Sequence, residues 1–210
     1  AQSIMAGHQD LVIGGGVESM SRYAPNHTDG FTANNTHLFE QYPLIPQGIS
    51  ADLIATIEGF SREDVDGYAV RSQERTQASI EAGYFKSGLV PIYHSDGRLA
   101  LDRDEHPRPG TTMETMVGLN PSFEKMGKTL YDGQVRTFDD ICKSVYPNVK
   151  AMTHVHHAGN SSGVVDGASA ILLASPKYAK AHGLKPRARI VMTSTAGTEP
   201  VIMLTAPGPA

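Results

Sequence analysis

One residue of the chain carries a thiol, Cys142. A nucleophilic cysteine needs a lowered pKa, which a helix N-terminus or a cationic neighbour usually provides. Lys143 is adjacent, but consecutive residues of a helix point in different directions. Cys142 instead falls on an apolar stripe with Ile141 and Val145, where cysteine behaves as a small hydrophobic residue. We therefore predict a structural role for this thiol rather than covalent catalysis.

Three histidines lie close together in the run His154-Val155-His156-His157. In a strand, His154 and His156 would share a face, a spacing that permits a metal-binding pair. No acidic residue or second cysteine stands at a supporting local distance. We therefore predict that the histidines are structural or line a polar pocket, and we expect no metal site.

Residues 102–108 mix acidic and basic side chains, which predicts a solvated loop whose charges partly neutralise one another. Residues 14–16 are three consecutive glycines. They follow an apolar run but lack the remaining residues of a dinucleotide-binding fingerprint. On their own they indicate only close passage of the backbone or unusual dihedral angles.

The helices that would position these residues begin at side-chain caps. Two starts fit the capping box, a serine or threonine with an acid three residues later, and a third has proline at its first position. These starts are Ser61 with Asp64, Thr137 with Asp140, and Ser175 with Pro176. Gly83 and Gly183 are expected to end the first and third helices. A further helix is expected to begin at residues 53–57, and Gly7 is typical of the residue that follows a helix.

Short apolar, β-branched runs predict the strands. Residues 9–16 are typical of a buried parallel strand, and residues 167–175 of a second buried strand. Residues 89–94 and 188–194 are further candidates. Residues 97–112 are charged, contain proline and are expected to form a loop. Strand-like runs near both ends and an irregular middle indicate an α/β fold with a long insertion.

The composition excludes several classes of protein. Of the 210 residues, 40% are hydrophobic and 19% are charged, which is a globular balance. The net charge of −4 gives no electrostatic footprint for nucleic acid or an anionic membrane, and no apolar run is long enough to span a bilayer. The single cysteine excludes an internal disulfide and is compatible with a reducing compartment. Because the chain opens on the pattern of a helix end, we expect that preceding sequence is missing.

Several sequence strings, all in the same order, resemble those of one enzyme family. Each string is moderately specific alone, and their shared order across nearly the whole chain is the stronger signal. They are VIGGGVESMS (12–21), QGISAD (47–52), DGYAVRSQ (66–73) with AGYFK (82–86), AGNSSG (158–163) with DGA (166–168), GTEP (197–200) and PGPA (207–210). On these strings the chain resembles the central part of a thiolase, a coenzyme-A-dependent acyltransferase.

The resemblance implies an α/β fold, namely part of a thiolase-like αβαβα layered core with an inserted α+β loop domain. It places residues 1–22 and 158–210 in the N-terminal core and residues 23–157 in the inserted loop domain. It also implies that the full-length protein is a homo-oligomer, either a dimer or a tetramer.

The implied reaction is thiolytic cleavage of a 3-ketoacyl-CoA to acetyl-CoA and a shortened acyl-CoA, as in fatty acid β-oxidation, through an acyl-cysteine. CoA and acyl-CoA would be substrates, with no covalently bound cofactor. The family's nucleophilic cysteine and its later Asn, His and Cys motifs do not occur in these residues, and Cys142 matches neither family cysteine. We therefore expect no catalytic residue in this chain and no activity from the isolated chain.

The resemblance also implies that seven residues contact CoA. They are Arg108, Thr115, Phe123, Ala158, Ser162, Gly163 and Leu38. The first two would lie near the adenine nucleotide, where a guanidinium stacks on a base or pairs with phosphate. Phe123 and Leu38 would give apolar contacts along the cofactor, and the other three would lie beside or near the pantetheine arm.

The chain departs from the family pattern in three places. Pro46 stands where many biosynthetic members have a histidine, which favours degradative thiolysis over acetoacetyl-CoA formation. Val165 replaces a usual asparagine. The segment between Phe123 and Ala158 is longer than the common pattern, which suggests a bulkier or unusual acyl group.

Two other functions stay open on the sequence alone. The first is a non-catalytic, thiolase-like protein that binds CoA or lipid, and the second is an unrelated α/β domain. The resemblance implies a cytoplasmic protein if the source is bacterial, and a mitochondrial or peroxisomal one otherwise.

Overall fold

A computed structural model describes residues 1–22, 35–130 and 135–210. The described residues form two compact units. The first contains residues 1–22, 164–197 and 207–210, and the second contains residues 35–130, 135–163 and 198–206. Residues 23–34 and 131–134, which belong to the predicted loop domain, lie outside the described residues. The division at residues 22 and 158 into core and insertion of a larger fold stays a prediction.

Within the described residues, the helices are α1 Gln2–Met5, α2 Thr36–Gln41, α3 Gln47–Glu58, α4 Arg62–Glu81, α5 Met113–Val117, α6 Glu124–Gly127, α7 Phe138–Val145 and α8 Pro176–Ala181. A 3-10 turn spans Met20–Arg22. The strands are β1 Leu11–Ser19, β2 Ile92–Tyr93, β3 Leu99–Leu101 and β4 Asp166–Ala174.

Strands β1 and β4 form an antiparallel ribbon in the first unit, with Leu11 opposite Ala174 and Ser19 opposite Asp166. Both strands were predicted, but the parallel pairing and the burial were wrong. Ile13 is 72% exposed and most of the ribbon is accessible. An apolar, β-branched run shows that a segment suits a pleated surface, but it does not specify the neighbouring strand or what covers the faces.

Two other strand predictions were wrong in part. The strand expected at residues 89–94 is reduced to Ile92–Tyr93, and it pairs with Leu99–Leu101 inside the segment expected to be a loop. Residues 188–194 form no strand in the described structure. A strand exists only where a partner satisfies its hydrogen bonds, and the composition of one segment does not supply that partner.

The capping predictions are confirmed because they depend on neighbours in sequence. Ser61 accepts a hydrogen bond from the N–H of Asp64, whose carboxylate accepts from the backbone of Ser61 in return. Thr137 and Asp140 form the same reciprocal box at the start of α7. Ser175 caps α8.

The ends of three helices were also predicted correctly. Gly7, Gly83 and Gly183 follow α1, α4 and α8, and all have φ between +62° and +76°, a left-handed conformation that favours glycine. The start of α3 was placed too late, since this helix begins at Gln47 after Pro46. Its start has no side-chain cap, so no capping signal marks it in the sequence.

The core of the second unit lies between α3 and α7. Ile49 and Leu53 from α3 pack with Ile141 and Cys142 from α7, and Val201 completes the centre. All five are almost fully buried. The segment between Phe123 and Ala158 was expected to allow a bulkier acyl group. Its described part supplies residues of the core, including Ile141 and Cys142.

Among residues 1–22, 35–130 and 135–210, no helix has the length and apolar character needed to cross a membrane.

Candidate functional site

A groove of about 310 Å³ lies in the second unit between α4 and the turn at residues 159–162. Tyr68, Ser72 and Thr76 lie four residues apart on α4, so they project from one face of the helix. Ser161 and Ser162 line the opposite wall. The hydroxyl groups of both walls can donate and accept hydrogen bonds, so the groove suits an elongated ligand with polar groups along its length.

His106 and Pro107 complete the groove next to this turn. A Cβ atom at Gly163 would overlap the His106 ring. The turn can therefore pass this close to the 106–107 segment only because residue 163 has no side chain.

Arg108 is tied to the same groove through α4. Its backbone N–H donates to Oε1 of Gln73, 2.9 Å away, and Gln73 lines the groove. Its guanidinium is exposed, and Nη1 donates to the carbonyl of Glu105 at 3.0 Å. Other guanidinium donors remain able to meet a ligand at this end of the groove.

The structure brings some of the predicted site residues together and not others. Ser162 lines the groove, Ala158 and Gly163 flank its lining turn, and Arg108 follows Pro107. Residues 115, 123 and 38 are not among the residues that line it.

Each of those three outlying residues has a structural contact. The Thr115 hydroxyl donates to the carbonyl of Thr112 at 2.8 Å and accepts from its N–H at 3.0 Å, within the cap of α5. Phe123 packs on the core cluster and leaves no room for a side chain at Gly48. Leu38 lies in the first turn of α2, where its N–H donates to the capping side chain of Asn35. Their role in binding CoA stays a prediction.

The sequence interpretation missed the groove residues on α4 and at position 106. A usable signal was present, because residues 68, 72, 73 and 76 fall at helical spacing and three of them lie in the DGYAVRSQ string. The contribution of His106 could not have been found this way, since its loop meets Gly163 only in the folded chain.

The histidine run is held by buried aspartates. Asp52 is fully buried and accepts hydrogen bonds from Nδ1 of His154 and Nδ1 of His156, both at 2.7 Å. It also accepts from the N–H groups of Val155 and His156 at 3.0 and 3.1 Å. Burial alone would raise the pKa of Asp52, but these hydrogen bonds outweigh it and lower the pKa below its usual value of 3.8.

A second buried aspartate, Asp66 on α4, holds the end of the same run. It accepts from Nε2 of His157 at 2.7 Å, from Nδ2 of Asn160 at 2.8 Å and from Nε of Arg62 at 2.6 Å. Burial would raise the pKa of Asp66, but the bonds from Arg62, His157 and Asn160 lower it below 3.8. The structural prediction for the histidines is confirmed. Asp52 and Asp66 lie 91–104 residues away from them in sequence, which explains why no local spacing revealed these two partners.

Cys142 is fully buried in the core of the second unit. Burial, together with the nearby carboxylate of Asp139, raises its pKa to about 12. A thiol in this state is neither ionised nor accessible, so it cannot act as a nucleophile. The predicted structural role is confirmed.

A family model described as the N-terminal domain of thiolase matches residues 1–134, more than half of the chain. The chain belongs to the thiolase family. A β-ketoadipyl-CoA thiolase of Pseudomonas aeruginosa is 36% identical over 227 residues, covering all of this chain and 50% of that protein. The chain spans about half the length of the curated thiolases that it matches.

Two solved thiolases share its fold. The dimeric peroxisomal thiolase of Saccharomyces cerevisiae superposes with a TM-score of 0.70 at 27% identity, over 96% of this chain and 45% of that one. Human mitochondrial 3-ketoacyl-CoA thiolase in complex with CoA gives 0.66 at 29% identity, over 96% of this chain and 47% of that one. The α/β thiolase-like fold predicted from the sequence is confirmed.

The buried state of Cys142 in this thiolase chain leads to a direct prediction. In the native chain the thiol should react with iodoacetamide only through opening of the second unit, so its alkylation should be far slower than in urea-unfolded chain. The Cys142→Ala variant should lose about 1 kcal/mol of stability, because a small buried group is removed. Mass spectrometry of timed alkylation gives the rates. Equal rates in native and unfolded chain would contradict the buried assignment.

Proposed function

We propose that the protein containing this chain is a degradative 3-ketoacyl-CoA thiolase and that the groove between α4 and residues 159–162 holds CoA. The observation that carries this proposal is the groove itself, because Ser162 lines it and Gly163 and Arg108 directly follow residues that line it. It is supported by the names of relatives, which include thiolases and acetyl-CoA acetyltransferases, and by the human relative, whose structure is of a CoA complex. These names disfavour a non-catalytic binding protein.

The groove matches the chemistry of the pantetheine arm. This arm is a narrow chain with two amides, each of which presents a donor and an acceptor. Ser72 on one wall, and Ser161 and Ser162 on the other, offer hydroxyl groups that serve as either partner. The Thr76 hydroxyl donates to the carbonyl of Ser72 at 2.8 Å and can accept from the ligand. In this proposal these hydroxyl groups align the arm, and the acyl group lies beyond its thiol end.

The nucleotide end of CoA fits the positively charged side of α4. A second groove of about 210 Å³ shares Tyr68, Ser72 and Thr76 with the first and is also lined by Arg71 and Arg75. The guanidinium of Arg71 lies 5.6 Å from the centre of the Tyr68 ring. Arginine pairs with phosphate through parallel N–H donors, so these residues and Arg108 would attract the phosphates.

Thiolysis needs a cysteine thiolate that accepts the acyl group, an oxyanion site, and a group that moves the proton of CoA. The buried Cys142 cannot be the acyl acceptor. We therefore propose that the catalytic groups lie outside these 210 residues in the full-length protein and that this chain supplies the CoA-binding wall. The full-length protein is further proposed to be a homo-oligomer, because the yeast relative is dimeric. A monomeric mass by light scattering would contradict that part.

The test of function is thiolysis by the full-length protein. It should cleave 3-ketoacyl-CoA in the presence of CoA, which the loss of absorbance of the enolate measures, whereas the isolated chain should show no turnover. Absence of cleavage by the full-length protein across short, medium and long acyl chains would contradict the proposal. Turnover by the isolated chain would contradict the assignment of the catalytic groups.

The Arg108→Ala variant tests the location of the groove. We expect the KM for CoA of the full-length protein to rise about tenfold, because an ionic hydrogen bond to phosphate is lost. Arg98→Ala is the matched control, since Arg98 is an exposed arginine paired with Asp96 at 2.7 Å in the β2–β3 hairpin. An equal effect of the two substitutions would indicate general electrostatic attraction and contradict a contact at Arg108.

A further inference from the structure

The wall of the groove formed by residues 159–162 is held in place by His157 and Asp66, two residues that do not line the groove. His157 lies two residues before this turn and is 1% exposed. Its backbone N–H donates to Oδ1 of Asn160 at 2.8 Å, and the N–H of Gly159 donates to Nδ1 of the His157 ring at 3.0 Å. The histidine therefore binds the first part of the turn through both its backbone and its ring.

These contacts define the proton positions on the imidazole. Because the N–H of Gly159 points at Nδ1, this nitrogen carries the lone pair, and the proton of the neutral ring is on Nε2. Nε2 then donates to Oδ1 of Asp66 at 2.7 Å. Both ring nitrogens are used, Nδ1 as acceptor and Nε2 as donor. Moving the proton from Nε2 to Nδ1 would therefore break both hydrogen bonds.

Asp66 connects the turn to the opposite wall of the groove. The same oxygen that accepts from His157 also accepts from Nδ2 of Asn160 at 2.8 Å. Asp66 lies on α4, two residues before Tyr68, and Arg62 fixes its other oxygen at 2.6 Å. Helix α4 thus presents one wall of the groove and anchors the other, so the width of the groove depends on this junction.

The turn has little freedom to compensate if the junction is broken. A Cβ atom at Gly159 would lie 2.9 Å from Cε1 of His157 and 2.9 Å from Cδ1 of Leu119. The backbone is therefore packed directly on the imidazole, and displacement of the ring must displace the turn that carries Ser161 and Ser162.

We propose that His157 is a positioning residue for CoA: through Asp66 and Gly159 it fixes the 159–162 turn, and so sets the affinity of the groove for the pantetheine arm. This inference rests on the proposed function.

Two substitutions separate the donor from the acceptor of the ring. In His157→Asn the amide oxygen approximates Nδ1 and can accept from Gly159, but the donor to Asp66 is lost. In His157→Gln the amide nitrogen approximates Nε2 and can donate to Asp66, but the acceptor for Gly159 is lost. Each variant should raise the KM for CoA of the full-length protein about tenfold and leave kcat close to the wild-type value. His94→Gln is the control, because His94 is an exposed histidine in the β2–β3 hairpin.

The tautomer of the ring completes the test. Nitrogen NMR of the histidine-labelled chain should show Nε2 protonated and Nδ1 unprotonated in His157 at neutral pH.

The outcomes distinguish this inference from the proposed function. Efficient thiolysis with an unchanged KM for CoA in both variants would overturn the inference and leave the proposed function standing. A proton on Nδ1 of His157 at neutral pH would also overturn it. A full-length protein without thiolysis or CoA binding would overturn the proposed function, and with it the effect of His157 on affinity.

Discussion

Replacing Asp52 by alanine should destabilise the second unit by about 3–5 kcal/mol, the cost typical of removing one partner from a buried ionic or hydrogen-bonded network. The carboxylate is fully buried and binds His154, His156 and the backbone of Val155. Without it, those donors are left buried and without an acceptor, and each lost partner carries a desolvation penalty. The interaction also joins α3 to the 154–157 segment, so its loss should affect the whole core between α3 and α7.

Alkylation of Cys142 in urea measures this effect locally, because the thiol lies in the core of the same unit. The free energy of opening should fall by the stated amount in Asp52→Ala and by less in Asp52→Asn, which keeps one acceptor oxygen. Asp102→Ala is the matched control. Asp102 is an accessible aspartate paired with Arg103 at 3.3 Å, and its removal should change the free energy by at most about 0.5 kcal/mol. A loss below about 1 kcal/mol in Asp52→Ala would contradict the role given to this carboxylate.

The second unit should also lose stability steeply in acid. The pKa values of Asp52 and Asp66 are lower in the folded chain than the ordinary value of 3.8, because their hydrogen bonds outweigh burial. A lowered folded pKa means that the stabilisation is complete above the unfolded value and disappears as the pH falls through the folded value. Below about pH 4, each carboxyl should therefore reduce the free energy of unfolding by up to about 1.4 kcal/mol per pH unit.

Urea unfolding at a series of pH values, followed by the near-ultraviolet signal of the tyrosines, measures this slope. In Asp52→Asn one of the two carboxyls cannot titrate, so the acid slope should be smaller than in the wild type. Equal slopes in the two proteins would show that Asp52 does not contribute to the acid transition.

The sequence predicted those parts of the fold that depend on neighbouring residues. The capping boxes at Ser61 and Thr137 were found because the cap and its acid are three residues apart. The pairing of β1 with β4 was not found, because it joins residues 11–19 to residues 166–174 and an apolar run carries no information about its partner. The resemblance to thiolases rested on strings rather than contacts, and it identified the family.

The candidate site also combines residues that local motifs predicted with residues that depend on long-range contacts. Ser162, Gly163 and Arg108 were named from motifs, and the fold brings them to one groove. The contributions of Asp66 and His157 depend on a contact between residues that are 91 positions apart. No local pattern around either residue indicates such a partner. Phe123 was also named from a motif; the structure places its ring against the core and Gly48, and its contact with CoA stays a prediction.

The most direct test of the central claim, that the groove on α4 binds CoA, is a crystal structure of the full-length protein with CoA. We expect the pantetheine arm between Ser72 on α4 and Ser162 on the turn, and the phosphates near Arg71, Arg75 or Arg108. CoA bound elsewhere on the protein, with this groove filled only by solvent at saturating ligand, would contradict the account.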